Sequence, residues 1–306
     1  MKQVILFISI ILAAFTVSAQ VETAIKEAIQ NGLKEGTSIL LLQGKIDSIL
    51  MGIEKYRTDS VADIRLRSYE LLDFIAGTDK NKKVIERCVE VITEAQFDEN
   101  FMIRNSSLGY LKKYKRGDFN SKAISAMRAL TRKRNAHLLY FENILLLGFL
   151  NVHSLWLDSL ANQKNYAHSS ITENNVWGSK LAAARMGNKA VSKECIKIIQ
   201  TGMGTDDFNY YARACDYLAY IKDISSINLL NTLLNNQNLL AALKPASDFQ
   251  EPFASYALRK LREILINMPQ MGKYEPYGQY TMDEIEAARK WMRRNKNNYV
   301  INTENF

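Results

Sequence analysis

The sequence predicts an all-α protein built from antiparallel helix pairs, and three observations support this fold class. Apolar residues recur at i, i+3, i+4 and i+7 along most of the chain, whereas the strict alternation of a half-buried strand is nearly absent. The chain has only 14 glycines, and its 4 prolines all lie at or after Pro245, so a turn-rich β fold is disfavoured. Helical segments also recur in pairs at a regular spacing.

The composition is that of a globular protein with a sizeable core. The chain has 306 residues, of which 47% are hydrophobic and 24% are charged. These proportions exclude a disordered, collagen-like or disulfide-dense chain. The formal net charge of +8 makes an acidic or anionic ligand a reasonable partner.

Residues 1–19 have the features of a secretory signal peptide. Lys2 supplies a positive start, an uncharged apolar run extends from Val4 to Val17, and Ser18 and Ala19 are small. The run is shorter than the roughly 20 residues that a bilayer-spanning helix needs. An uncleaved membrane anchor is the alternative. We therefore expect cleavage after Ala19, a periplasmic or secreted protein, and no transmembrane segment in the mature chain.

Residues 20–267 are predicted to form helix after helix. Residues 20–56 are expected to be N-terminal capping helices, and residues 57–267 an array of about five to six antiparallel helix pairs. The segments Ile64–Ile75 and Ile103–Tyr114 share their pattern at a distance of 39 residues. The patterns that begin at Phe208 and Phe253 match at a distance of 45 residues. A helix pair that repeats at this period is typical of an α-solenoid.

The array resembles a HEAT-type (armadillo/HEAT-like) helical repeat. The resemblance lies in Asp59-Ser-Val61-Ala-Asp-Ile64-Arg65 and the apolar residues after it up to Gly77, and again in the segment 211–234. It would cover residues 57–267. The resemblance implies a binding scaffold, and it does not imply a reaction.

The C-terminal part is predicted to close the array. Residues 268–280 form a linker rich in Pro, Gly and Tyr, and an insertion at residues 236–251 lengthens the loop before the last repeat. Thr281-x-x-Glu284 is a capping box that opens a capping helix over residues 281–296, with Ile285, Ala288 and Met292 on its buried side. Residues 297–306 are expected to be a polar tail.

The cysteines and histidines do not form a catalytic or metal motif. The chain has 3 cysteines, an odd number, so we expect buried thiols, although a disulfide between Cys195 and Cys215 stays open. Its 3 histidines show no i, i+3 or i+4 pair. Gly202-x-Gly204 precedes two aspartates and is interpreted as a turn. We therefore predict no catalytic residue, no cofactor and no metal, and a protein that is not an enzyme.

The predicted function is that of an exported scaffold that binds a protein or peptide partner on its curved face. The second helix of each pair usually lines that face, and the basic residues there are the candidate contacts, some of which also complement helix C-termini. These candidates are Arg128, Arg132, Lys133, Arg134, Lys112, Lys113, Lys193 and Lys197. Two alternatives stay open: an all-helical periplasmic hydrolase or lyase acting on an envelope polymer, and a binder of anionic surfaces or glycans. Nucleic acid is not expected as a partner of an exported chain.

Overall fold

The computed structural model describes residues 19–33, 45–163, 174–203, 208–236, 253–270, 280–296 and 298–306. Residues 1–18 of the predicted signal peptide, residues 237–251 of the insertion and residues 271–279 of the linker lie outside these ranges. The described part is all-helical, as predicted, and its only strand-like pairing is an isolated bridge between Leu265 and Ile301. The chain divides into two compact units, residues 1–130 (unit 1) and 131–306 (unit 2).

Unit 1 contains six described helices, in which each helix from the second onward packs on near neighbours in sequence. The third helix contacts the fourth and fifth, and the fourth contacts the fifth and sixth. The first helix, where a capping helix was expected, buries Val21, Ile25 and Ile29. The helices are α1 (19–31), α2 (Ile46–Arg57), α3 (Ala62–Thr78), α4 (Lys82–Glu94), α5 (Phe101–Leu111) and α6 (Ser121–Leu130).

The 39-residue repeat of the sequence reappears in the hydrogen bonds of unit 1. Arg65 Nη1 donates to the carbonyl oxygens five and six residues before it, at 3.3 and 2.8 Å. Arg104 Nη1 does the same at 2.9 and 2.7 Å. Asp59 and Asp98, at the start of each motif, both accept from the backbone N–H two residues ahead at 2.8 Å. The two segments are therefore equivalent in structure as well as in sequence.

Consecutive motifs are joined by a buried ion pair. Arg65 donates from Nε and Nη2 to the two carboxylate oxygens of Asp98, at 2.9 Å in both cases. Only 8% of the Arg65 side chain and 9% of the Asp98 side chain are exposed. Such a bidentate pair fixes orientation as well as distance. It holds α3 against the segment that leads into α5.

Unit 2 contains eight described helices with the same pattern of neighbour contacts. Helix α9 contacts α7, α8, α10 and α11, and α12 contacts α10, α11, α13 and α14. These helices are α7 (Phe141–Phe149), α8 (Leu155–Ala161), α9 (Asn175–Arg185), α10 (Lys189–Gly202), α11 (Phe208–Ile221), α12 (Ile224–Leu234), α13 (Phe253–Ile264) and α14 (Met282–Arg294).

Helices α7 and α9 approach each other closely because Gly148 has no side chain. A Cβ atom added there would lie 2.6 Å from the Cα of Ala182 and would also collide with the Tyr220 hydroxyl.

Lys180 connects α9 to its other neighbours, α8 and α10. Its side chain is 2% exposed, and its Nζ donates to the carbonyl oxygen of Ala161 at 2.8 Å and pairs with Glu194 at 3.0 Å.

Side-chain caps begin several of the helices. Asn81, Asn188 and Asp223 each accept a hydrogen bond from a backbone N–H in the first turn of α4, α10 and α12. The capping box of α14 forms as predicted: the Thr281 backbone N–H donates to Glu284 at 2.7 Å, and the Glu284 N–H donates to Thr281 Oγ1 at 3.3 Å. Ile285, Ala288 and Met292 are fully buried, as expected for the covered side of α14.

Residues 298–306, expected to be a polar tail, instead form a strap across unit 2. The Ile266 N–H donates to Val300 O at 2.9 Å, and the Asn302 N–H donates to Ile264 O at 2.8 Å. The ring of Phe306 lies 5.6 Å from that of Phe149 and 5.7 Å from that of Tyr220. Main-chain hydrogen bonds and the ring of Phe306 hold this segment, and a polar sequence without a period gives no sign of either.

Candidate functional site: a cleft in unit 2

A cleft of about 330 Å³ opens in unit 2 between α7, α11, α13 and the strap. Its volume is within the range of small-ligand and peptide-side-chain pockets. Helix α11 supplies the largest share of its lining, since residues three and four apart on a helix share one face. These lining residues are Arg213, Asp216, Tyr217, Ala219 and Tyr220.

The aromatic walls of the cleft are held by packing. The ring of Tyr217 meets that of Phe141 edge-on at 5.9 Å and that of buried Trp177 at 5.6 Å. The Tyr220 hydroxyl donates to the carbonyl oxygen of Leu145 at 2.6 Å. Edge-to-face ring pairs and a satisfied hydroxyl fix these side chains, so the walls are largely pre-formed.

Two carboxylates balance the positive charge of Lys260 inside the cleft. Its Nζ lies 3.0 Å from Asp216 and 2.9 Å from Glu263. Burial alone would lower the pKa of Lys260, but the attraction of these two carboxylates outweighs it and raises the pKa. Lys260 therefore stays protonated and positively charged, and it is the ion-pair partner of both carboxylates.

Lys222 and Arg185 bind the main chain of the strap. Lys222 follows α11 with a left-handed φ of 53°, and its N–H donates to Leu218 O at 3.3 Å, closing the helix. Its Nζ donates to the carbonyl oxygen of Asn305 at 2.8 Å. Arg185 Nη2 donates to the carbonyl oxygens of Thr303 and Asn305, both at 3.2 Å. Side chains of unit 2 thus bind the backbone carbonyl oxygens of an extended stretch of the same chain.

Arg213 is the cation of the cleft that is not neutralised. It forms no hydrogen bond or ion pair with the residues that the structure describes, and its buried Nε–H has no acceptor among them. Asp216, three residues along the same helix, pairs with Lys260 instead. A buried donor without an acceptor costs about 1–3 kcal/mol. An anionic group in the cleft would supply the counter-charge that the Arg213 guanidinium lacks.

A shallower cleft of about 430 Å³ in unit 1 offers no such group. It is lined in part by Asp73, Lys113 and Tyr114. Asp73 accepts from the Tyr114 hydroxyl at 2.8 Å and pairs with Lys113 at 2.6 Å. Burial and the neighbouring carboxylate raise the pKa of Tyr114, which stays protonated. The polar groups here join α3 to α5 and satisfy one another.

None of the candidate basic residues whose side chains the structure describes lines the unit 2 cleft. Lys112 and Lys113 follow α5, Arg128 is exposed on α6, and Lys193 and Lys197 are exposed on α10. Exposed Arg132 precedes a 3-10 helix that contains Lys133 and Arg134, whose side chains are outside the described part. Of the six candidates with described side chains, Lys113 alone lines one of the two clefts, the shallower one in unit 1.

Sequence reasoning missed Arg213 and Lys260 because it followed the buried stripe. Stripe residues such as Tyr211 and Cys215 are indeed buried in α11. Tyr217 and Tyr220, which lie off that stripe, are 4% and 7% exposed, so α11 is covered on more than one face. The repeated aromatic pattern does not mark them either, because Arg213 lies two residues after Tyr211 whereas Lys260 lies four residues after Tyr256.

The disulfide between Cys195 and Cys215, which the sequence left undecided, does not form. Both residues are fully buried free thiols, as is Cys88. Burial raises the pKa of the Cys88 thiol to about 12, and it raises those of Cys195 and Cys215 further. Cys215 hydrogen-bonds with Tyr211 on its own helix. These thiols act as small core residues.

No described group of side chains resembles a metal centre. Among the described residues, no three His, Cys, Asp or Glu side chains are grouped so that they could hold an ion. His137 and His153 are exposed and line neither cleft, and His168 lies outside the described part. The turn at Gly202-x-Gly204 also extends beyond the described residues, which stop at residue 203 there.

The fold and site therefore define an all-helical protein with a pre-formed, aromatic-walled cleft. No known family model matches the chain, and no curated protein matches it either. In the described part of the chain, every helix is too short or too polar to cross a bilayer.

Proposed function

We propose that this protein is an exported, non-catalytic helical-repeat scaffold of HEAT type whose unit 2 cleft binds a peptide segment of a partner protein. The repeat assignment is supported by contacts between helices that are neighbours in sequence and by the matching hydrogen bonds of Arg65 and Arg104. An α-solenoid of about five to six helix pairs with terminal capping helices would account for both.

The observation that carries the proposal is the strap beside the cleft. Unit 2 binds its own extended residues through Arg185 and Lys222, which hold main-chain carbonyl oxygens. Phe306 of the strap also lines the cleft. Recognition through the main chain, with rings to receive side chains, is how extended peptides are bound. A partner peptide would occupy the open cleft next to the strap.

The described geometry supports binding better than catalysis. Asp216 and Glu263, which line the cleft, both pair with the same ammonium group of Lys260. Paired carboxylates that share one counter-ion serve packing better than acid–base chemistry, which needs groups poised to exchange a proton. The anionic-surface alternative would use the candidate basic residues, but one of them, Lys113, is already paired with Asp73. No observation favours either alternative.

The test is a pull-down of the mature chain from its own envelope fraction, with partners identified by mass spectrometry. Asp216→Trp places a bulky ring at an exposed position that lines the cleft, and Lys193→Trp places the same ring on the exposed face of α10. We expect the captured partner to be lost with Asp216→Trp and kept with Lys193→Trp. The opposite pattern would move the site to the face that carries Lys193 and Lys197.

A further inference from the structure

We propose that the peptide bound in the unit 2 cleft presents a carboxylate to Arg213. This inference rests on the proposed function and specifies its ligand. The cleft is lined by three cations, and two of them are already occupied: Lys260 by Asp216 and Glu263, and Lys222 by the strap. Among the three, Arg213 alone makes no hydrogen bond or ion pair with the described part of the chain.

The position of Arg213 selects the chemistry of the ligand. Its guanidinium lines the cleft, and its Nε–H is buried without an acceptor among the described residues. A guanidinium offers N–H donors in a planar fork that matches the two oxygens of a carboxylate. Arg213 makes no ion pair with Asp216 or Glu263, because Lys260 holds both. A ligand carboxylate would therefore give Arg213 a counter-ion without displacing an existing partner.

The walls select the neighbour of that carboxylate. Phe141, Tyr217 and Phe306 line the cleft with aromatic surface, and Phe141 and Tyr217 are buried against each other. Aromatic walls favour an aromatic or aliphatic side chain. The ligand is thus a peptide with a carboxylate next to an apolar residue. The carboxylate can come from an Asp or Glu side chain or from a peptide C-terminus, and both sources share this chemistry.

The experiment selects peptides from a phage-displayed library of random linear peptides, using the full mature chain and its Arg213→Gln and Arg213→Lys variants as bait. Wild type should enrich peptides with Asp or Glu beside an apolar residue. Arg213→Gln should keep the apolar preference and lose the acidic one, and Arg213→Lys should keep part of it. The matched control is Arg259→Gln in α13, which makes the same change outside the cleft lining and should select like wild type.

Synthetic versions of one enriched peptide then separate the two sources of the carboxylate. The acidic, amidated form should bind wild type about 10- to 100-fold more tightly than its Gln or Asn counterpart, and this gap should close in Arg213→Gln. If the Gln or Asn form regains affinity when its C-terminus is left free, the terminal carboxylate is a source as well. Thermal unfolding of each variant checks that the fold is intact.

The outcomes distinguish this inference from the proposed function. Peptides without acidic residues, enriched equally by wild type and Arg213→Gln, would overturn the carboxylate assignment and leave a peptide-binding cleft. If no peptide is retained by any of the baits, both the cleft proposal and the carboxylate assignment are overturned.

Discussion

Removal of the Asp98 carboxylate should destabilise unit 1 strongly, because it leaves the buried Arg65 guanidinium with only the exposed Glu99, 3.5 Å away, as a counter-ion. The two bonds between these side chains are both 2.9 Å long, and neither side chain is more than 9% exposed. Breaking a buried ion pair from one side costs about 3–5 kcal/mol. Arg65 keeps two backbone carbonyl acceptors, so we expect Asp98→Ala to cost about 3 kcal/mol, at the lower end of that range.

The measurement is urea unfolding followed by far-ultraviolet circular dichroism. All 3 tryptophans lie in unit 2, so tryptophan fluorescence gives an internal reference that the change in unit 1 should not move. The matched control is Glu22→Gln, which removes a shorter but exposed ion pair, 2.6 Å from Lys55, and should have no measurable effect. An Asp98→Ala chain as stable as the Glu22→Gln chain would show that the buried pair is not a structural link.

The same pair predicts a pH dependence. Burial would raise the pKa of Asp98, but the Arg65 guanidinium and the Asn100 backbone N–H outweigh burial and lower it. A carboxyl whose pKa is lower in the folded chain stabilises the fold above its unfolded pKa and stops doing so as the pH falls through its folded pKa. The stability gap between wild type and Asp98→Asn should therefore be full above about pH 5 and shrink below about pH 4.

Three further predictions concern the contact between α7 and α9, the strap and the cysteines. Gly148→Ala should lower stability by about 1–3 kcal/mol through overpacking against Ala182, whereas Gly109→Ala in α5, where an added Cβ meets nothing within 4 Å, should raise it by about 0.5–1 kcal/mol. Urea unfolding gives both signs, and a stabilised Gly148→Ala chain would contradict the close approach. Phe306→Ala should cost unit 2 about 1–3 kcal/mol by tryptophan fluorescence, and Glu304→Ala at an exposed strap position should stay within about 0.5 kcal/mol of wild type. Ellman's reagent near pH 8 should label no thiol in the folded chain and three in the unfolded chain, because burial raises the pKa of each; one thiol in the unfolded chain would reveal a disulfide after all.

Local chemistry explains why much of the fold could be predicted from the sequence. The capping box of Thr281 and Glu284 depends on two residues three positions apart, and it forms as predicted. The repeated Ile64–Ile75 and Ile103–Tyr114 motifs depend on helical period, which one sequence displays directly. Each of these features is decided within a few turns of chain, where composition and spacing carry enough information.

The strap and the cleft could not be predicted because their partners are distant in sequence. Arg185 lies 120 residues from Asn305, and no local pattern in a polar segment signals that contact. The cleft depends on which faces of α7, α11 and α13 remain uncovered once the helices have packed. In the sequence, the position of Arg213 is that of an ordinary surface cation. It is distinctive in the structure only because Lys260 forms the ion pairs with the nearby carboxylates.

The strap also sets an order on the folding of unit 2. In a stack of helix pairs, neighbours meet soon after they leave the ribosome, since little intervening chain must be closed into a loop. The bonds from Arg185 to Thr303 and Asn305 close loops of more than a hundred residues, so they must be among the last to form. Until then, the rings of Phe149 and Tyr220 lack Phe306, and the newly made protein exposes an aromatic surface that a chaperone could recognise.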